Sequence, residues 1–209
     1  LSILLAPLYA VLSANPLVPR VGMADPNVRL MNGTFYCWAT HDYSINNTGF
    51  QMRDWWVWSS PDLVAWKLES KVVPTDVLLW DTDQNECWAT DAALANNKYY
   101  FYLSVGGGSI AVVVADSPAG PWSDPLGKPL LDAGIGSKLH PPTTFRDPCV
   151  FQDDDGTWYI IAGVFEYYIA KLADDMISLA EEPRHVTVTG AYGACGANKT
   201  DDKPFIHRQ

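Results

Sequence analysis

Phe145-Arg146-Asp147-Pro148-Cys149-Val150 runs on through Phe151-Gln152-Asp153-Asp154-Asp155-Gly156 to Thr157-Trp158-Tyr159-Ile160-Ile161-Ala162-Gly163. In local chemistry this is an Asp-Pro corner, a short apolar strand, an acidic turn closed by glycine, and an aromatic-rich returning strand. Asp and Gly suit tight turns, so this arrangement between two apolar runs predicts a hairpin. The same grammar recurs along the chain. Ala24-Asp25-Pro26-Asn27-Val28 leads through Asn32-Gly33 to Thr34-Phe35-Tyr36-Cys37-Trp38. Thr90-Asp91-Ala92-Ala93-Leu94 leads through Asn96-Asn97 to Lys98-Tyr99-Tyr100-Phe101-Tyr102, and Asp201-Asp202-Lys203-Pro204-Phe205-Ile206 opens a fourth copy. Successive steps from Asp25 to Asp91, Asp147 and Asp202 are 66, 56 and 55 residues. A period of roughly fifty residues with several strands per unit predicts an all-β chain of the β-propeller type.

Each unit carries further strands. In the first, Trp55–Ser60 reads as a third strand and Leu63–Leu68 as the outer edge. In the second, Lys98–Ser104 and Ile110–Ala115 are strands joined at Gly106-Gly107-Gly108. That triple glycine precedes a β-branched run rather than a helix, so it is not a phosphate loop. In the third, Tyr167–Leu172 is the third strand. A unit of this kind buries its faces only by stacking on neighbours around an axis. The innermost strands then converge, and Asp residues more than fifty positions apart can meet.

At 209 residues, 48% apolar and 18% charged, the chain reads as one globular domain with a sizeable core. A net charge of −10, with no run of Lys or Arg, argues against nucleic acid and anionic membrane as partners. Nine Trp and ten Tyr admit two readings, core packing or a surface that stacks on sugar rings. Residues 1–14 are apolar, uncharged and too short to span a bilayer. They read as the h-region of a secretory signal peptide or as a buried first strand; the first reading leaves residues 15–209 as the mature domain and makes the protein extracellular. Glycosylation triplets at Asn32, Asn46 and Asn198 are compatible with secretion. Cys37, Cys87, Cys149 and Cys195 form no Cys-x-x-Cys pair, hence no zinc or redox motif.

Carboxylates gathered at one axis are the raw material of glycoside hydrolysis: one activates water, and another, kept protonated, donates to the leaving oxygen. A third raises the pKa of that acid by like-charge repulsion. The structural alternative is that Asp before Pro only accepts hydrogen bonds from nearby backbone N–H groups.

From about Pro16 to Arg208 the chain resembles family 43 glycoside hydrolases, which are five-bladed β-propellers. The resemblance rests on Ala24-Asp25-Pro26, Cys37-Trp38-Ala39-Thr40-His41-Asp42, Cys87-Trp88-Ala89-Thr90-Asp91, Ala115-Asp116-Ser117-Pro118 with Gly120-Pro121-Trp122, Asp124–Pro129, and Arg146-Asp147-Pro148. It implies Asp25 as general base and Asp147 as the residue that tunes and orients the acid. It also implies Trp88 and Asp91 at the pocket wall, with Arg146, His41 and Asp42 in contact with substrate. The family's acid is a Glu two residues before a Pro or Ser that precedes an aromatic; the matching position here is Asp202, one methylene shorter, with Asp201, Glu166 and Glu86 as alternatives. The fourth unit breaks off after its first strand, so the chain reads as part of a longer protein carrying about three blades and the start of a fourth. The activity implied is inverting hydrolysis of arabinose- or xylose-containing plant polysaccharide, with an oligo- or polysaccharide partner and no required cofactor; some resembling members hold a structural calcium at the axis. A non-catalytic carbohydrate-binding propeller and a protein-interaction propeller are the alternatives.

Overall fold

The computed structural model describes residues 21–44, 48–80, 86–190, 192–193, 196–197 and 203–206. The apolar N-terminal stretch, Asn46, Cys195, Asn198 and Asp202 lie outside them. Three antiparallel blade sheets follow one another along the chain, with a two-stranded ladder of Tyr192–Gly193 and Gly196–Ala197 after them. The first is β1 (Met23–Met31), β2 (Thr34–Asp42), β3 (Met52–Ser60) and β4 (Lys67–Val72), in that spatial order. The second is β5 (Cys87–Ala95), β6 (Lys98–Val105) and β7 (Ser109–Ala115). The third is β8 (Cys149–Gln152), β9 (Trp158–Ala162), β10 (Tyr167–Lys171) and β11 (Arg184–Val186). Each sheet is a meander, and β5 contacts both β1 and β8. The first strand of each of these three sheets is therefore innermost, the geometry of successive propeller blades. Among the described residues the only helices, α1 (Pro74–Val77) and α2 (Ala133–Gly136), are single turns.

Turn chemistry explains the hairpins. Asn32 and Gly33 have φ of 51° and 81°, and Asn96 and Asn97 have φ of 51° and 58°. Both pairs occupy the left-handed region that two-residue hairpin turns need and that Asn and Gly tolerate. The acidic turn after β8 closes through Gly156 N–H donating to the Asp153 carbonyl (2.9 Å). The outer strand of the first blade begins later than Leu63. The Asp62 carboxylate accepts hydrogen bonds from the N–H groups of Val64 (2.9 Å) and Ala65 (2.8 Å), which curls residues 62–65 into a turn and delays β4 to Lys67. Those backbone donors hold the exposed Asp62 carboxyl below its usual range. In the second blade the outer strand is reduced to isolated bridges at Ser123 and Leu131.

The core lies between blades. Phe101, Leu103 and Val105 on β6 face the first blade, where Trp38, Trp55 and Val57 pack against them. Tyr100 and Tyr102 on the same strand face the third blade, with Ile160, Ala170 and Phe145. A strand buried on both faces reads as a continuous apolar run, as Tyr99–Leu103 does. Trp38, Trp55, Trp56 and Trp58 are all buried, so much of the tryptophan content is packing. Full burial of a large apolar side chain contributes about 1.5–3 kcal/mol. One buried cysteine sits in each blade: Cys37 on β2, Cys87 at the start of β5 and Cys149 at the start of β8. Burial pushes the thiol of Cys37 up to about 12 and that of Cys149 up to about 11.

Candidate active site

The innermost strands carry their reactive side chains at their N-terminal ends, and these gather in one cleft of about 530 Å³. Asp25 enters it from β1, Trp88 from β5, and Arg146 with Asp147 from the segment leading into β8. Phe50 and Met52, at the start of β3, and Val164 and Phe165, between β9 and β10, close its sides.

Asp25 and Asp147 share an unusual backbone. Both precede proline and both are left-handed, with φ of 50° and 56°. Such a conformation costs a residue with a side chain on the order of 1–3 kcal/mol and persists only where its surroundings impose it. At Asp25 the imposition is a β-bulge: the β1–β2 register slips between Ala24 and Asn27. Bulges re-aim the side chains they contain. At Asp147 the backbone N–H donates to the fully buried Ser104 hydroxyl on β6 (2.7 Å). Gly163 fixes the same corner from the other side by donating its N–H to the Arg146 carbonyl (2.9 Å). Its φ is +134°, and a Cβ there would meet the Glu166 carbonyl oxygen at 2.2 Å, so only glycine fits.

Trp88 sits in the bulge of β5, where the β5–β6 register slips between Cys87 and Thr90. Trp55 Nε1 donates to its carbonyl (2.8 Å). Phe50 meets its ring edge-on at 6.0 Å, and the Arg146 guanidinium lies 6.0 Å from its centroid. Buried Arg146 Nε and Trp88 Nε1 find no hydrogen-bond partner among the described residues. Two carboxylates, a guanidinium-bearing residue and three exposed or half-buried aromatic rings thus line one cleft, a set suited to a sugar with its C–H faces and hydroxyls.

Other residues expected at the pocket are elsewhere. Asp91 is fully buried, and both its oxygens are engaged. Arg29 of the first blade grips it with Nε (3.1 Å) and Nη2 (2.8 Å), while the N–H groups of Ala92 and Val150 donate to it (each 2.7 Å). Arg29 Nη2 also reaches the Val150 carbonyl (2.8 Å), so the pair ties three blades together. The hairpin register accounts for the displacement. Asp25 stands seven residues before Asn32, but Asp91 only five before Asn96. The counterpart of Asp91 is Asn27, likewise buried.

His41 and Asp42 also lie outside the cleft lining. His41 lies tilted over Trp56 (3.8 Å) and meets Tyr43 edge-on (4.1 Å), and its Nδ1 meets Asp54 Oδ1 at 3.1 Å. Burial lowers its pKa, against the pull of Asp54. Asp42 caps the following loop, accepting from Ser44 N (2.7 Å) and Gln51 N (3.2 Å). Glu166 Oε2 pairs with His185 Nε2 at 2.9 Å. Glu86 Oε2 is buried without a hydrogen-bond partner among the described residues. Asp202 is outside them, but its neighbour Lys203 donates to the Thr90 carbonyl on the innermost strand β5 (2.5 Å). Among the described residues no group of three or more His, Cys, Asp and Glu is placed to hold a metal ion. Among the described residues Arg29 is a cation that bridges the innermost strands, reaching Asp91 on β5 and Val150 on β8.

Phe50, Met52, Ser104 and Phe165 escaped the sequence reading. The available signals were an apolar residue in a polar loop, for Phe50, and an aromatic just after Gly163 in a turn, for Phe165.

Known proteins share this architecture. An arabinoxylan arabinofuranohydrolase of Bacillus subtilis (strain 168) is 32% identical over 173 residues, covering 72% of this chain and 33% of that protein. The crystal structure of a family 43 enzyme from Xanthomonas citri complexed with xylose superposes with a TM-score of 0.70 at 27% identity, covering 83% of this chain and 58% of that one. A β-xylosidase/α-arabinofuranosidase from a compost metagenome, in a calcium-free complex with xylotriose, gives 0.70 at 25% identity, covering 85% and 62%. The chain thus spans about a third to three fifths of the length of these relatives, and its three blades belong to a five-bladed propeller. Residues 13–209 match the family described as glycosyl hydrolases family 43, and the chain belongs to that family.

Proposed function

We propose that the full-length protein is a secreted glycosidase that hydrolyses arabinose- or xylose-containing plant polysaccharide with inversion at the anomeric carbon. The observation that carries this reading is that Asp25 and Asp147, 122 residues apart, line one cleft in the same strained pre-proline conformation. Asp25 draws a proton from water. The water oxygen bonds to the anomeric carbon from one face as the glycosidic C–O bond breaks on the other. The acid, which we assign to Asp202, gives its proton to the departing oxygen. Asp147, a second negative charge, keeps that acid protonated until it is needed. Trp88 stacks on the sugar, and the Arg146 guanidinium stands beside it at the cleft wall. Asp91, His41 and Asp42 support the blades rather than the substrate.

Asp25→Asn removes the base and is expected to lower kcat by about 10²–10⁴-fold while oligosaccharide binding persists. Asp202→Asn is expected to keep most activity on an aryl pentoside, whose leaving group needs little protonation, and to lose it on xylo-oligomers. Equal loss on both substrates, or none on either, removes Asp202 from the acid's role. A full-length wild type that binds oligosaccharide but turns over no pentoside is a binding module instead. Secretion is supported by the apolar residues 1–14 and by the exposed position of Asn32 in a glycosylation triplet. Native protein whose N-terminal sequence begins before Leu12 would reject it.

A further inference from the structure

The indole of Trp88 has little of its own to aim it. Its Nε1 finds no hydrogen-bond partner among the described residues, and Phe50 and Arg146 each stand 6.0 Å from the ring. Its inner side leans on the core between the first two blades, but apolar packing is non-directional. The backbone of Trp88, by contrast, is gripped. Trp88 and Ala89 form the bulge of β5 and together face the single residue Ser104 on β6. The first blade reaches this irregular stretch with two side-chain donors. Thr40 Oγ1 donates to the Cys87 carbonyl, and Trp55 Nε1 donates to the Trp88 carbonyl at 2.8 Å. Thr40 and Trp55 are both wholly buried, and they are directly opposite partners on β2 and β3. On its other side Thr40 pairs with Ala24, the residue before Asp25, where β1 bulges. One row across three strands therefore connects the bulge that carries Asp25 to the bulge that carries Trp88.

We propose that Thr40 and Trp55 are positioning residues, a clamp that aims Trp88 and so sets where a sugar stacked on it sits relative to Asp25. The inference rests on the glycosidase reading and extends it to two residues buried too deeply to meet the substrate. The two accepted bonds fall on the two peptide units that flank the Trp88 Cα. Each unit is planar, so holding both sets the φ and ψ of Trp88 and the direction of its Cα–Cβ bond. A bulge re-aims a side chain, and here the clamp decides to which side. The donors come from the blade that also carries Asp25, so base and stacking platform share one frame. Small errors of placement between a bound sugar and its base are costly in rate. A seam that only joined two blades would affect folding stability, but it would have no reason to act on substrate through the Trp88 ring.

The test uses the full-length protein and a p-nitrophenyl pentoside. Trp55→Phe keeps a ring and loses the N–H; Thr40→Val keeps the shape and loses the hydroxyl. Each is expected to lower kcat/KM about five- to tenfold, the scale of one lost hydrogen bond. Thr40→Ser, which restores the hydroxyl, recovers most of that loss. In a Trp88→Ala background neither Trp55→Phe nor Thr40→Val lowers kcat/KM further, because no ring remains to be aimed. The emission of Trp88, taken as the difference between a protein and its Trp88→Phe counterpart, reads the clamp without any ligand. It shifts in Thr40→Val and returns in Thr40→Ser. Unchanged kcat/KM in both Trp55→Phe and Thr40→Val, the same loss with and without the Trp88 ring, Thr40→Ser as impaired as Thr40→Val, or unmoved Trp88 emission would each overturn the proposal. Should Trp55→Phe fail to fold, the Thr40 series decides alone. Inactivity of the wild type on every pentoside refutes the glycosidase reading, and Trp88 emission still decides the clamp.

Discussion

Asp91 shows how much one carboxylate can be asked to hold. It is wholly withdrawn from water, and its charge is matched by the Arg29 guanidinium and two backbone N–H groups. Removing one partner of such a pair strands a buried charge, which costs far more than the pair contributes over an apolar substitute. Arg29→Met is therefore expected to lower unfolding free energy by about 3–5 kcal/mol, and Asp91→Asn placed in that background should recover part of the loss. A chemical-denaturation midpoint for Arg29→Met close to wild type would show that the blades are joined by other means. The sequence made Asp91 look like a sibling of Asp25 because residue type and approximate spacing agree. What separates them is the hairpin register with its bulges, which sets whether a carboxylate faces the cleft or the neighbouring blade. Asp25 and Asp147 were legible because each stands at an Asp-Pro corner, whereas Trp88 and Arg146 came only from the resemblance to family 43.

At the scale of elements, the turn from the third to the fourth strand repeats with its chemistry intact. Asp175 accepts from the N–H groups of Ile177 (2.9 Å) and Ser178 (3.0 Å), as Asp62 does from Val64 and Ala65. The residue after each Asp is left-handed: Leu63 and Met176 both have φ of 63°. Burial decides whether relieving that shared strain helps or harms. Leu63 is 43% exposed, so Leu63→Gly trades strain of about 1–2 kcal/mol against extra unfolded-state entropy of about 0.4–1 kcal/mol and should stabilise by up to about 1 kcal/mol. Met176 is 1% exposed, so Met176→Gly opens a cavity and should destabilise by about 2–5 kcal/mol. Thermal unfolding of the two variants checks the opposite signs; a stabilised Met176→Gly would mean that strain outweighs packing there. The Asn32-Gly33 and Asn96-Asn97 hairpin turns could be read in sequence because their φ demands are local. The start of β4 could not, since Leu63–Leu68 is apolar enough for a strand and only the Asp62 hydrogen bonds reveal a turn. Phe50, Ser104 and Phe165 were hidden for a different reason: a local signal marks Phe50 and Phe165 as unusual, but which of these residues reach the cleft depends on how the blades stack.

At the scale of the whole molecule, the second blade is the keystone. Its β6 sends alternate side chains into two separate cores, one shared with the first blade and one with the third. The propeller character was readable from the repeat because every unit needs neighbours to cover both faces, and the approach of β1, β5 and β8 fulfils it. The same arrangement sets one cysteine into each blade, and burial keeps Cys37 and Cys149 protonated as well as hidden. A thiol reagent reacts with the exposed thiolate, so modification at neutral pH waits for a blade to open. Three residues, Cys37, Cys87 and Cys149, thus form a built-in set of stopwatches. Their alkylation rates, resolved peptide by peptide, report the order in which the blades come apart, without any label being introduced.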